Sequence, residues 1–250
     1  LRQTIPTGLM ISADEGISVM INEEDHLRIQ AMVEGMNLRK AWDMANTIDD
    51  QLENKLDYAF DENIGYLTVC PTNVGTGMRA SYMLHLPALE STGQIQLILD
   101  AVNKFGMTIR GIYGEGTEAQ GSLFQISNQI TLGHSELDII DYLNTVTLQV
   151  VDQERKLRQK MFHENQIKFA DAIYRTYGTL TSARMISSNE AMTLLSDIKL
   201  GMEMKILDFE TPFNSYEFMS SIQPASLQKI FSMPLQGEER DVKRAELIRN

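Results

Sequence analysis

The order of apolar patterns predicts an α+β fold, an antiparallel β-sheet flanked by helices and followed by an all-helical C-terminal domain. Three observations predict it. Period-two apolar runs recur up to residue 129, helical stripes fall between them without strict strand–helix alternation, and only helical patterns follow Ser135.

Strands are expected at 8–12, 17–22, 65–70, 79–86, 107–113 and 122–129, several with clear alternation. From Asn37 to Tyr58, the residues Trp42, Ala45, Ile48, Leu52 and Leu56 recur at helical spacing and make one apolar face. Ser91 to Phe105 reads as a second helix, with Ile95, Leu97, Ile98 and Val102 inward and Gly106 as its stop. A long helix is expected from an N-cap at Ser135 to Gln159 or beyond, with Leu137, Ile140, Leu143, Val146 and Val150 on one side. Further helices are expected at 164–177, 188–198, 213–220, 225–231 and 238–249, with turns at Gly178, Gly201, Pro212, Pro224 and Gly237. The pattern divides the chain into a mixed domain, 1–160, and a helical domain, 161–250.

With 250 residues, 43% hydrophobic and 22% charged, the composition is that of an ordinary globular protein. No apolar run approaches the roughly 18 residues of a membrane span, and no signal-peptide pattern opens the chain. The single cysteine cannot form an internal disulfide, so a reducing, cytoplasmic setting is expected. The net charge of −12 argues against direct contact with nucleic acid and suits a cationic substrate.

Chemistry concentrates in four segments. Cys70-Pro-Thr-Asn-Val-Gly-Thr-Gly-Met-Arg79 reads as a strand end, a proline-started turn and a glycine-loosened loop that holds one thiol near one guanidinium; the plainer alternative is a buried cysteine before a hairpin. Asn22-Glu-Glu-Asp-His-Leu-Arg28 gathers three acids and a histidine. Consecutive side chains diverge, so no metal site is expected there, and from the residues alone an acidic, solvated helix start is the favoured reading. The third segment is Arg110-Gly-Ile-Tyr-Gly-Glu-Gly-Thr-Glu118. The fourth, Arg240-Asp-Val-Lys-Arg-Ala245, places Arg240, Lys243 and Arg244 at i, i+3 and i+4, where they could converge on one phosphoryl group; a solvated basic helix face is the alternative.

Together these strings resemble the signatures of the phosphagen (guanidino) kinase superfamily, and within it the McsB-type protein-arginine kinases. Tyr113 stands where metabolic arginine and creatine kinases carry a phosphate-binding arginine, and the helical C-terminal domain is an addition typical of the protein-arginine branch. The resemblance implies phosphoryl transfer from ATP with Mg²⁺ to arginine side chains in proteins. Glu24 and Glu118 would bracket the substrate guanidinium, one or both as general base, and Cys70 would lie against its edge as a thiolate. Arg28, Arg79 and Arg110 would hold the phosphates, while Ala80, Ser81, Tyr82 and Met83, with Gly111, Ile112, Tyr113, Gly114 and Glu115, would wall the nucleotide pocket. Arg240, Asp241, Val242, Lys243, Arg244 and Ala245 would form an allosteric pocket for phosphoarginine.

The implied partners are arginine-bearing protein substrates, a heat-shock repressor, a zinc-binding activator protein, a Clp unfoldase and a second copy of the chain, as a homodimer or higher oligomer. Two rival functions stay open: a kinase for a small guanidine metabolite, and a fragment that only reads phosphoarginine. The chain starts at Leu1, and the Ser-x-Arg-x-Arg element that supplies two more phosphate-binding arginines in family members is not in this sequence, so part of the ATP site is expected to lie outside it. His85 and His134 belong to no motif and read as structural or surface residues.

Overall fold

A computed structural model of the chain describes residues 6–112, 119–209 and 214–249. The chain divides into two compact units, one of Leu1–Tyr82, Leu99–Ile109 and Gln125–Gln149, the other of Met83–Ile98, Arg110–Phe124 and Val150–Asn250.

In the first unit, β1 (Gly8–Ile11), β2 (Ile17–Glu23) and β3 (Asp25–Ala31) form an antiparallel meander in that order. Its register sets Met20 opposite Arg28 and Glu23 opposite Asp25. The acidic run that suggested a helix start is therefore the hairpin apex and the first half of a strand. The alternation of Leu27, Ile29 and Ala31, which pair with Ile21, Val19 and Ile17, outweighs the first-turn preference of three acids. Helix α1 (Leu38–Glu53) lies against β3. A two-residue hairpin, β4 (Phe60–Asp61) and β5 (Gly65–Tyr66), precedes a 3₁₀ turn at Pro71–Asn73, so only the start of the strand expected at 65–70 forms.

A second sheet has the order β6 (Ser81–His85), β8 (Leu123–Asn128), β7 (Met107–Gly111). The central β8 buries Leu123, Phe124 and Ile126 almost completely, as a strand covered on both faces must. The helix expected across 91–105 forms as α3 (Ile95–Asn103), and a short helix that the sequence pattern does not suggest, α2 (Pro87–Ser91), precedes it. Gly93, at φ +68°, takes the left-handed turn between them. Helix α4 (Glu136–Glu164) starts as expected, its Asp138 amide donating to Ser135 Oγ at 3.1 Å.

The second unit adds α5 (Gln166–Ser182), α6 (Ser188–Glu203), α7 (Ser215–Ser221), α8 (Pro224–Ile230) and α9 (Gly237–Arg249). They enclose Ile173, Leu180, Met192, Leu195, Met219 and Ile222 in one core. Gly178 and Gly201 are not turns but helix interior. At Gly201 the reason is packing: a Cβ there would sit 2.5 Å from Ile173 Cγ2, so glycine lets α5 and α6 approach.

Candidate active site

Glu24 stands at the tip of the β2–β3 hairpin, exposed and with φ +60°, between the paired residues Glu23 and Asp25. Asn22, at φ +56°, shares the bend. Left-handed backbone is uncommon for a glutamate and costs on the order of 1 kcal/mol, the kind of strain that clusters at functional sites. Asn22 answers for part of it: its amide donates to the Pro6 carbonyl at 2.8 Å, and its Oδ1 lies 3.1 Å from His26 Nδ1. Arg28, on β3, pairs with Glu23 across the hairpin.

The cysteine loop is tied to this hairpin one residue away from each chemical group. Asp25 accepts a hydrogen bond from the Val69 amide at 2.7 Å. Cys70 follows, half-buried, with its Sγ 3.0 Å from Thr72 Oγ1 and its carbonyl accepting from the Asn73 amide and from Thr68 Oγ1. Thr131 clamps the far side of the loop. Its hydroxyl reaches the Thr72 and Val74 carbonyls at 2.9 and 2.8 Å, and its carbonyl accepts from the Thr76 amide at 3.0 Å. Gly75, at φ +111°, packs so closely on Thr131 that a Cβ would collide with the Thr131 backbone. Tyr66 pairs with Gly75 in both directions, and its hydroxyl donates to Asp49 at 2.9 Å. Burial and that carboxylate push the Tyr66 phenol well above its ordinary pKa, so it stays a donor.

Arg79, on the exposed side of the strand approach, donates from Nη2 to Ser127 Oγ at 3.1 Å. Ala80 and Tyr82 are buried, and Ser81 accepts from Gln125 Nε2 at 2.8 Å. The buried Asn128 holds this stretch: its Oδ1 takes the Ala80 amide at 2.8 Å, and its amide donates to the Met78 and Ile130 carbonyls. The holding roles of Asp25, Thr131 and Asn128 are not legible in the strings: Asp25 stands in the acidic segment as one more carboxylate, and Thr131 and Asn128 lie outside the four segments. A buried Asn beside a strand was the one available signal.

In the second unit, Met83 is exposed near the middle of β6, and Arg110 is exposed on β7, followed by half-buried Gly111 and Ile112. Tyr113, Gly114, Glu115 and Glu118 lie outside the described residues. The basic string on α9 is divided by burial. Arg244 is buried, and its guanidinium donates inward to the Ile222 and Ile186 carbonyls at 3.0 and 2.9 Å and pairs with Asp241. Lys243 binds Glu246 at 2.8 Å and covers the Phe231 ring, while Arg240 and Asp241 are half-buried and Val242 is exposed. Ala245 is buried in the core of this unit.

An antiparallel sheet carrying a glutamate hairpin, a tethered cysteine loop and guanidinium side chains defines a guanidino phosphotransferase core. The comparisons agree: residues 1–157 match the ATP:guanido phosphotransferase C-terminal catalytic domain, and residues 166–250 match the protein-arginine kinase McsB C-terminal domain. The chain is 51% identical over 249 residues to the protein-arginine kinase of Caldanaerobacter subterraneus subsp. tengcongensis, covering 99% of this chain and 74% of that protein. It is 50% identical over 242 residues to the Bacillus subtilis protein-arginine kinase, covering 97% and 67%. Among solved structures, the Schistosoma mansoni taurocyamine kinase with transition-state-analogue components is similar at 31% identity and TM-score 0.53, over 62% of this chain and 21% of that one. A lombricine kinase is similar at 28% identity and TM-score 0.55, over 62% and 43%. The chain belongs to the protein-arginine kinase family.

Proposed function

We propose that this chain carries the transfer core of a kinase that moves the γ-phosphoryl of ATP to arginine side chains of proteins, with a domain division at 1–160 and 161–250. The observation that supports it best is the Asp25–Val69 tether, which fixes the Glu24 hairpin to the Cys70 loop. The acceptor is a delocalised cation with a pKa above about 12, so it needs orientation and a proton acceptor before it attacks. In this reading Glu24 and Glu118 pair with the guanidinium fork, and Cys70 Sγ holds its edge. One guanidinium nitrogen attacks the γ-phosphorus, the N–P bond forms as the bond to the ADP oxygen breaks, and the nitrogen's proton passes to one of the two carboxylates. Arg28, Arg79 and Arg110 neutralise the phosphate oxygens, with Mg²⁺ accompanying the nucleotide. Ala80 to Met83 and Gly111 to Glu115 wall the nucleotide.

Arginine-bearing proteins, rather than a small guanidine, are favoured because a domain named for protein-arginine kinases follows the catalytic one. The motif Arg240–Ala245 is read as a phosphoarginine sensor, with Arg240 as its accessible cation and the buried Arg244 as the anchor that holds the helix in place. Delivery of marked proteins to a Clp unfoldase, inactivation of a heat-shock repressor, control by a zinc-binding activator, a dimeric or larger assembly and a cytoplasmic setting complete the proposal. No helix among the described residues is long and apolar enough to cross a membrane. Incubating the full-length protein with ATP and either free arginine or a basic protein tests the reading. Phosphoarginine on the protein supports it; phosphorylation of free arginine alone overturns it.

A further inference from the structure

Helix α6 reaches the end of strand β6 through a polar cluster, wholly within the second unit, in which His85, Glu154 and Arg158 are buried and the Glu203 side chain is 39% exposed. Glu203, at its last turn, binds Nη1 of Arg158. Arg158 then donates from Nη2 to the His85 carbonyl at 2.8 Å and from Nε to Glu154 at 2.6 Å. Glu154 accepts the Ala88 and Leu89 amides at 3.0 and 2.8 Å, which caps the first turn of α2. Two turns back on α6, Ser196 Oγ sits 2.8 Å from His85 Nε2. His85, the last residue of β6, is thus gripped by both carbonyl and ring.

Arg158 and Glu154 keep only 10% and 3% of their side chains exposed. Charges that deep gain little net stability from pairing, so their value lies in fixing one arrangement. What they fix borders the site. The strand they end begins with Ser81, Tyr82 and Met83, and the Leu86 amide donates to the Ser122 carbonyl at 2.9 Å, tying this corner to the segment that follows Glu118. The same helix presses on that segment directly, since a Cβ on Gly121 would lie 2.9 Å from the Met192 carbonyl oxygen. Glu203 lies within residues 166–250, the part matched by the protein-arginine kinase C-terminal domain and not by the phosphotransferase domain.

We propose that Glu203 is a positioning residue for phosphoryl transfer: by holding Arg158 on the His85 carbonyl, it sets β6 and hence the wall of the nucleotide pocket. The proposal rests on the assignment of that wall in the preceding subsection. It makes the helical domain a structural requirement for nucleotide binding in this chain, independent of anything that domain itself binds.

The test uses the full-length protein and compares Glu203→Gln with Lys199→Gln. Lys199 holds the opposite oxygen of the same carboxylate at 2.6 Å and makes no bond to β6 among the described residues. ATP binding is measured by calorimetry, alongside KM for ATP, kcat and melting temperature. Glu203→Gln is expected to weaken ATP about 10-fold in both Kd and KM, with kcat at saturation within about threefold of wild type. Lys199→Gln is expected to bind ATP as wild type does. Unchanged ATP affinity in Glu203→Gln overturns the proposal, and so does equal weakening in both variants, which would mean general softening. Should Glu203→Gln fail to fold, Ser196→Ala removes the grip on the ring alone and is expected to weaken ATP about threefold; wild-type affinity there overturns the proposal. A wild type that binds ATP but phosphorylates no protein arginine sinks the kinase reading alone, and the calorimetric comparison still decides this one. A wild type that binds no nucleotide overturns both.

Discussion

The carboxylate of Asp25 accepts the backbone amide of Val69 at 2.7 Å, across 44 residues of sequence. Each partner is the immediate neighbour of a side chain proposed for catalysis, Glu24 at the hairpin tip and Cys70 in the cysteine loop. The hydrogen bond therefore sets the spacing between a carboxylate and a thiol that chain connectivity alone would leave loose. Asp25→Ala should lower kcat about 10-fold or more while ATP affinity holds, because near-attack geometry is lost on the acceptor side only. Steady-state kinetics with calorimetric ATP titration checks this; a loss confined to ATP binding would count against it.

Cys70→Ser keeps the size of the loop residue and its place beside Thr72, yet replaces a soft sulfur with a hydroxyl. Transfer should fall by roughly two orders of magnitude or more, with nucleotide affinity nearly intact. Normal turnover in the serine variant of the full-length protein would remove Cys70 from the chemistry.

The basic motif on α9 separates into a structural and an accessible arginine. Arg244→Ala leaves the Ile186 and Ile222 carbonyls without their donor and should cost about 3 kcal/mol of stability. Arg240→Ala should leave the melting curve unchanged but blunt the response of activity to added phosphoarginine. Thermal denaturation and a phosphoarginine titration, run on both variants, separate the roles. Equal destabilisation by the two would contradict the division.

These elements show what the sequence could and could not convey. Motif strings single out Glu24, Cys70, Arg28 and Arg79 for the proposed site because the proposed chemistry calls for a carboxylate, a thiol and guanidinium groups. The hairpin around Glu24 was misread as a helix start, because local charge preference cannot register that Leu27 and Ile29 pair with β2. Asp25, Thr131 and Asn128 were missed because their bonds reach backbone groups far away in sequence. The burial of Arg244 was hidden for a similar reason: i, i+4 spacing gives a shared face but not which face is covered.

Acid should destabilise the second unit. Burial holds His85 below its ordinary 6.5, with Glu203 working the other way and Arg158 and Lys199 adding to the depression. As pH falls below about 6.5 the unfolded chain binds a proton that the folded state refuses, so stability is lost from there down to the folded pKa. Burial pushes the Glu203 carboxyl up, but His85, Lys199 and Arg158 outweigh it and hold it well below its usual 4.5, so its contribution is present above 4.5 and lost as pH drops further. Asp197, raised by burial, opposes this in part. The melting temperature should therefore fall as pH drops below about 6.5, and His85→Gln should flatten that upper part of the fall and, by removing one of the groups that hold Glu203 down, reduce but not abolish the loss below 4.5. An unaltered profile in His85→Gln would rule out this histidine as the source.

The central claim, transfer from ATP to arginine within proteins by a site built on Glu24 and Cys70, meets its most direct measurement in mass spectrometry. The full-length protein and its Glu24→Ala variant would each be incubated with ATP and an arginine-rich protein, and the products mapped for phosphoarginine. The account predicts phosphoarginine on the substrate protein with wild type and essentially none with Glu24→Ala. Modification confined to serine, threonine or tyrosine, or equal phosphoarginine from both enzymes, would contradict it.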